Sequence, residues 1–184
     1  MTTTSSSPTT TGTWVLDPAH TRLGFEARHA MVSKVRGSFG IFEGTLELDG
    51  DNPANSRATV VIDAASITTG SADRDAHLRS ADFLNVEEFP TLTFTSTDVR
   101  HDGDSFVMVG DLTIRGTTRP VEIAAELEGV VTDPWGNTKI GFEGVTSLSR
   151  KHFGLTWNVA LEAGGVLVSD TVKIVLDVQA ARQA

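Results

Sequence analysis

From Trp14 to near the end of the chain, apolar and polar residues alternate with a period of two, and this limits the fold more than any other feature. Leu23, Phe25 and Ala27 alternate with Arg22, Glu26 and Arg28; Val121, Ile123, Ala125 and Leu127 with Glu122, Glu126 and Glu128; Val172, Ile174 and Leu176 with Lys173 and Asp177. Successive strand residues point to opposite faces, so each run predicts a strand with one dry and one wet face. Turn signals part the runs at Asp49-Gly50-Asp51-Asn52-Pro53, His101-Asp102-Gly103-Asp104, Arg115-Gly116-Thr117, Asp133-Pro134-Trp135-Gly136-Asn137 and Gly164-Gly165.

Eight strands are expected: roughly 14–30 with a break at Asp17-Pro18, then 37–48, 57–64, 91–100, 105–115, 118–131, 137–149 and 170–181. Most are joined by hairpin-length loops, so the sheet should be mainly antiparallel. Long one-sided strands are best satisfied by closing into an all-β, eight-stranded barrel, which removes both edges. The 184 residues suit one domain, placed at 13–182, behind a Thr/Ser-rich arm at 1–12 that is expected to be disordered. One stretch breaks the period. "GSADRDAHLRSADFLNVEEFP", residues 70–90, predicts a short helix over about 71–80 between strands three and four, with Ser71 as N-cap and Asp73 in the first turn. "KHFGLTWNVALEAGG" is a second irregular stretch, before the last strand.

The formal charge of -9, from 15 Lys plus Arg against 24 Asp plus Glu, disfavours nucleic acid and anionic membrane surfaces as partners. No cysteine is available for thiolate chemistry or disulfides. The first residues carry neither a secretory-signal pattern nor an apolar anchor, and no later run approaches the ~20 apolar residues of a membrane helix, so a cytoplasmic soluble protein is expected.

Catalytic patterns are missing. No GxSxG elbow, Walker loop or GxGxxG occurs, and Ser149 near His152 lacks an obvious orienting acid. In the 70–90 stretch, Asp75 with Arg79, Arg79 with Asp82 and Asp73 with His77 sit at helical spacing, which reads as a solvated face of weak ion pairs. Asp73 and His77 offer two metal ligands without a third, so no metal site and no catalytic residue is assigned. His20 and His29 read as turn or rim residues and His101 as solvated. Arg150 and Lys151 end strand seven, either as rim cations facing a ligand headgroup or in surface salt bridges.

Strand number alone does not separate a filled barrel from one that holds a ligand. The inward face mixes large residues with small ones at Ala27, Gly44, Ala58, Ser96, Gly110, Ala125, Gly144 and Thr146. These either relieve crowding where strands bend or line a tunnel. The tunnel reading assigns Phe25, Ala27, Met31, Phe42, Leu46 and Phe94 to its lining, together with Ser96, Met108, Leu112, Ile123, Phe142 and Leu176. A lid or rim is assigned to His29, Val32, Val35 and Arg36, within or next to a loop at Met31 to Val35, and to Leu78, Phe83, Leu84, Arg150 and Phe153. No inward strand position brings a formal charge, so a ligand should be long and apolar.

The segments "WVLDPAHTRLGFEARHAMVSKVRGSFGIFEGTL", "IDAASITTGSADRDAHLRSADFLNVEEFPTLTF", "VGDLTIRGTTRPV" and "LSRKHFG", in this order, closely resemble the YceI-like, polyisoprenoid-binding family from Trp14 to about Ala180. The resemblance implies a lipocalin-like barrel holding an isoprenoid chain, such as a prenyl quinone or polyprenyl lipid, as a carrier or store with no cofactor. Two departures stand out. Many relatives carry a secretory signal where this chain has its Thr/Ser arm, and His152 stands where relatives often have an acid. Two rivals remain: an enzyme on an apolar substrate using His29, His77 or His152, and a filled barrel acting as an interaction or stress-response module. Val107 and Val109, apolar on the outer face, suggest a homodimer contact.

Overall fold

A computed structural model describes residues 9–184. In chain order the elements are β1 (Gly12–Leu16), β2 (Arg22–His29), β3 (Ser33–Phe39), β4 (Phe42–Leu48), β5 (Arg57–Asp63) and β6 (Ile67–Thr68), then the helix α1 (Ala72–Arg79). They continue with β7 (Thr91–Asp102), β8 (Ser105–Ile114), β9 (Thr117–Thr132), β10 (Thr138–Ser149) and β11 (Thr171–Arg182).

All pairings are antiparallel, and they reduce to eight strands in a ring. Trp14 pairs with Arg182 and Leu46, and Leu23 with Leu176 and Phe39, so β1 and β2 are two halves of one strand running between β11 and the β3–β4 strand. β3 and β4 form the next, parted only at Gly40 and Ile41; β5 and β6 form the third, parted by a 3-10 turn at Ala64–Ser66. β7 to β11 follow in sequence order, and β11 closes onto β1. This is the up-and-down barrel expected from the alternation.

Three boundaries move. The first hairpin is longer than expected: Ala27 pairs with Val35 and His29 with Ser33, so Val35 and Arg36 lie in β3 and the loop shrinks to residues 30–32. No Gly or Asn marks that turn, because Ala30 (φ 49°) and Met31 (φ 62°) adopt the left-handed conformation themselves. The 57–64 strand resumes as β6 after Asp63 caps the intervening turn by accepting from the Ala65 N–H at 2.9 Å. The arm also ends earlier: Gly12 opens β1, and Thr9 and Thr11 carbonyls accept from Arg182. Residues 1–8, with most of the expected disordered arm, lie outside the described residues.

The barrel has two unlike ends. At one, the connections are the 49–56 loop and two tight turns, 103–104 and 133–137. At the other lie the 30–32 turn, α1 with its following loop, the Arg115-Gly116 turn and residues 150–170. Trp14 and Ile140 are the largest side chains removed entirely from solvent, and with Ala180 they fill one corner of the first end. Among the described residues no helix is long and apolar enough to cross a membrane.

Candidate functional site

A cavity of about 450 Å³ enters the barrel from the end that carries the 49–56 loop and the 103–104 turn. Phe94, Met108, Ile123, Phe142, Leu46 and Leu176 from the expected lining all border it. Leu16, Leu23 and Val99 border it as well, outside the lining expected from the sequence. Val99 arrives through a β-bulge: the β7–β8 register slips between Ser96 and Asp98, so the inward phase passes from even to odd positions. His101 follows Val99 into the rim for the same reason, where its ring stacks on Phe106 with centroids 6.4 Å apart.

The remaining expected lining lies elsewhere. Met31 is 61% exposed at the tip of the first hairpin, since its left-handed backbone turns it away from the strand. Phe25 packs on Phe39, centroids 6.0 Å apart, and covers Gly37, where a Cβ would collide with its ring. Ala27, opposite Val35, is half-buried in the same part of that hairpin. Phe42 belongs to the packed core and Leu112 packs against it. Ser96 is buried and structural; its hydroxyl accepts from the Ala58 N–H at 2.8 Å beside the bulge.

Both readings of the small inward residues apply, at different positions. Gly44 and Gly110 make room for Leu16 and the Phe94 ring, which a Cβ would strike. Ala58, Ala125 and Gly144 border open space instead.

The rim is polar and acidic. Asp49, His101, Asp104 and Glu143 are the titratable residues that border the cavity, and among the described residues no Lys or Arg does. N–H groups of Asn52 and Asp51 and the Asn55 amide hold the Asp49 carboxyl below its usual range, against a smaller opposing push from burial. Arg182 lies nearby but is committed: its guanidinium sits 4.7 Å over the Trp14 ring and donates to the Thr9 and Thr11 carbonyls.

The expected lid residues do not border the cavity; they crowd the opposite end. Phe83 and Leu84 are buried there and Leu78 is half-buried. Trp157 packs against both Phe83 (5.3 Å between centroids) and His77 (4.6 Å), joining α1 and its loop to the 154–170 segment. Phe153 and Leu155 carry that plug into the core. His29 and Val32 are exposed at the hairpin tip, the latter 82%.

Two charge readings are corrected. Arg150 is neither a headgroup cation nor a surface ion pair: it is 5% exposed and donates to the carbonyls of Ser169 (2.8 Å), Leu155 (2.7 Å), Trp157 (2.9 Å) and Val168 (3.2 Å). The α1 charges do not pair at helical spacing either. Asp75 is buried and accepts from the Thr69 N–H and hydroxyl at 2.8 and 2.6 Å; Arg79 donates to the Ala65 and Ile67 carbonyls; His77 meets Asp82, 2.8 Å away and past the helix end. Ser149 donates to Asp170 at 2.6 Å rather than facing His152. No group of three or more His, Asp or Glu among the described residues is placed to hold a metal.

The barrel fold has close parallels among solved structures. The Burkholderia cenocepacia protein BcnA superposes with a TM-score of 0.77 at 22% identity, over 89% of this chain and 98% of that one. A polyisoprenoid binding domain from Saccharophagus degradans gives 0.70 at 14% identity, over 92% and 98%. In sequence, protein YceI of Escherichia coli is 40% identical over 164 residues, 89% of this chain and 83% of the relative. The family profile described as YceI-like domain matches residues 14–180, nearly the whole barrel, from Trp14 at its packed corner to Ala180 beside it, and on that extent the chain belongs to the YceI-like family.

Proposed function

We propose that this barrel binds, and stores or carries, a long apolar isoprenoid-type molecule, such as a prenyl quinone, with its tail in the cavity and its headgroup at the rim. The cavity carries this reading: 450 Å³ lies within the ~300–1,000 Å³ of small-molecule sites, and aliphatic and aromatic side chains make up most of its wall. The S. degradans neighbour, described as a polyisoprenoid binding domain, supports the ligand class. Each tail methylene buried contributes about 0.8 kcal/mol, about fourfold in affinity, so long tails are favoured until the cavity is full. The rim offers carboxylates and no lining Lys or Arg, which favours an uncharged headgroup over a phosphate.

The protein acts by binding rather than by turnover. His29, His77 and His152, the histidines considered as acid or base, belong to the end away from the cavity, and none borders it. Organic extraction of the purified protein followed by mass spectrometry, with titration of the extracted protein by prenyl quinones of rising tail length, tests the proposal. A co-purified or stoichiometrically taken-up prenyl lipid is expected. Empty protein that takes up none of the series overturns it.

A further inference from the structure

The 30–32 turn departs from ordinary surface chemistry in two ways. Its backbone is strained, with Ala30 and Met31 both left-handed, a conformation that bulky residues rarely adopt. The strain turns apolar groups outward: Met31 is 61% exposed and Val32 82%. A second loop lies alongside. The Ala30 N–H donates to the Leu167 carbonyl at 2.7 Å, and the Met31 side chain packs onto Gly165. In that loop Val166, bridged to Ala160, is 40% exposed, and Val159, next to Ala160, is 46% exposed. Two strand-end loops thus merge their apolar side chains into one patch.

Charge around the patch is opposite to that of the molecule. On the outward face of β2, β3 and the start of β11, Arg28, Lys34, Arg36 and Lys173 surround Glu26. Arg36 approaches its carboxylate at 3.1 Å and Lys34 at 4.0 Å, which leaves a cationic excess in a chain of net charge -9. Lys151 adds to it; Glu162 and Asp170 oppose it, Asp170 being engaged by the Ser149 hydroxyl and the Lys151 N–H, and the exposed Asp73, Asp82, Glu87 and Glu88 of α1 and its loop lie at the same end on the β6 side of β3, away from β2 and β11. The acidic rim lies at the far end of the barrel, along strands whose twelve residues span roughly 40 Å. Screening acts over about 8–10 Å, so a surface touching the hairpin feels the cations rather than the net charge.

From the strained apolar tip and its cationic flanks we infer that this end docks on an anionic lipid bilayer, with Met31 and Val32 in the headgroup layer and Arg28, Lys34, Arg36 and Lys173 facing lipid phosphates. Exposed apolar side chains combined with basic neighbours are the pairing that interfacial binding needs, since neither holds a protein on a membrane well alone. The expectation of repulsion from anionic membranes, drawn from net charge, is replaced at this end by local charge. Docked this way, the molecule turns its cavity rim away from the bilayer.

Cosedimentation of the full chain with phosphatidylcholine vesicles, and with vesicles carrying about 30% phosphatidylglycerol, tests this at about 0.05 M and about 0.5 M salt. Binding to the anionic vesicles is expected to exceed binding to neutral ones by about tenfold at low salt and to fall away at high salt. Val32→Asp, and separately Arg28→Gln with Lys34→Gln, should each lower it about tenfold with an unchanged melting temperature, because these side chains are exposed. Trp135→Ala removes the 84% exposed indole from the opposite end and should change nothing. Equal binding to both vesicle types, no binding to either, indifference to Val32→Asp, or loss with Trp135→Ala overturns the inference. Prenyl quinone uptake from detergent should survive Val32→Asp, which separates this result from the binding proposal.

Discussion

Arg150 brings a positive charge into the plugged end with no carboxylate on its guanidinium; backbone carbonyls of Leu155, Trp157, Val168 and Ser169 take its hydrogens. Burial lowers its pKa from the ordinary arginine value, with Asp170 acting the other way. It works as a clamp that satisfies a loop which, paired only at isolated bridges, would otherwise bury bare carbonyls. Arg150→Met is therefore expected to cost about 3 kcal/mol in urea unfolding, and Arg150→Lys to recover part of it, since an ammonium cannot reproduce the planar fork. In the cavity wall, Ala125→Trp should fill open space and lower prenyl quinone affinity by at least about tenfold with little change in stability, read by titration and by thermal melting. Ala125 was legible as an inward residue from alternation alone. Arg150 was legible as a cation at a strand end but not as a clamp, because its partners are carbonyls up to nineteen residues on, and their directions depend on how the 154–170 segment folds back.

The helix α1 shows the same limit one level up. Its existence and cap were readable: the Ser71 side chain accepts from the Arg74 N–H, and Ser80 ends the helix by donating its N–H to the His77 carbonyl. Its docked face was not. The charges that looked solvated hold it to the barrel, with Asp75 accepting from Thr69 and Arg79 donating to Ala65 and Ile67. Burial pushes the Asp75 carboxyl up, but the Thr69 hydrogen bonds and the Arg79 charge outweigh it and its pKa is lowered. A carboxylate with a depressed folded pKa stabilises above its unfolded value and loses that contribution as pH falls through the folded one. Asp75→Asn should accordingly weaken the protein at about pH 7, yet flatten its loss of stability between about pH 5 and about pH 2, as followed by urea midpoints. The β2–β3 hairpin was misjudged for a different reason: the usual turn signal is glycine or asparagine, and here alanine and methionine bear the positive φ angles.

For the whole molecule, ligand linkage gives the broadest prediction. A prenyl quinone at about a hundred times its Kd should raise the melting temperature by about 5–10 °C. The ring itself was legible because the wall strands share one period apart from local bulges, and closure follows from having no edge to expose. The interruptions in that ring have a consequence of their own. The gaps at residues 17–21, at Gly40-Ile41 and at Ala64–Ser66 lie side by side, tied across by Asp63 N–H to the Ile41 carbonyl and Gly40 N–H to the Ser66 carbonyl. Three adjacent staves are jointed at one height; β7 begins beside the third joint, with Thr91 opposite Asp63, while β11 runs unbroken past the first, from Asp177 opposite Arg22 to Ala180 opposite Leu16. These joints interrupt three neighbouring strands at one level, so amide exchange should start at this seam and in the loops while β8 to β11 stay protected. Such a barrel is expected to loosen first along one side, as a vessel whose wall is stitched at one panel and woven through at the others.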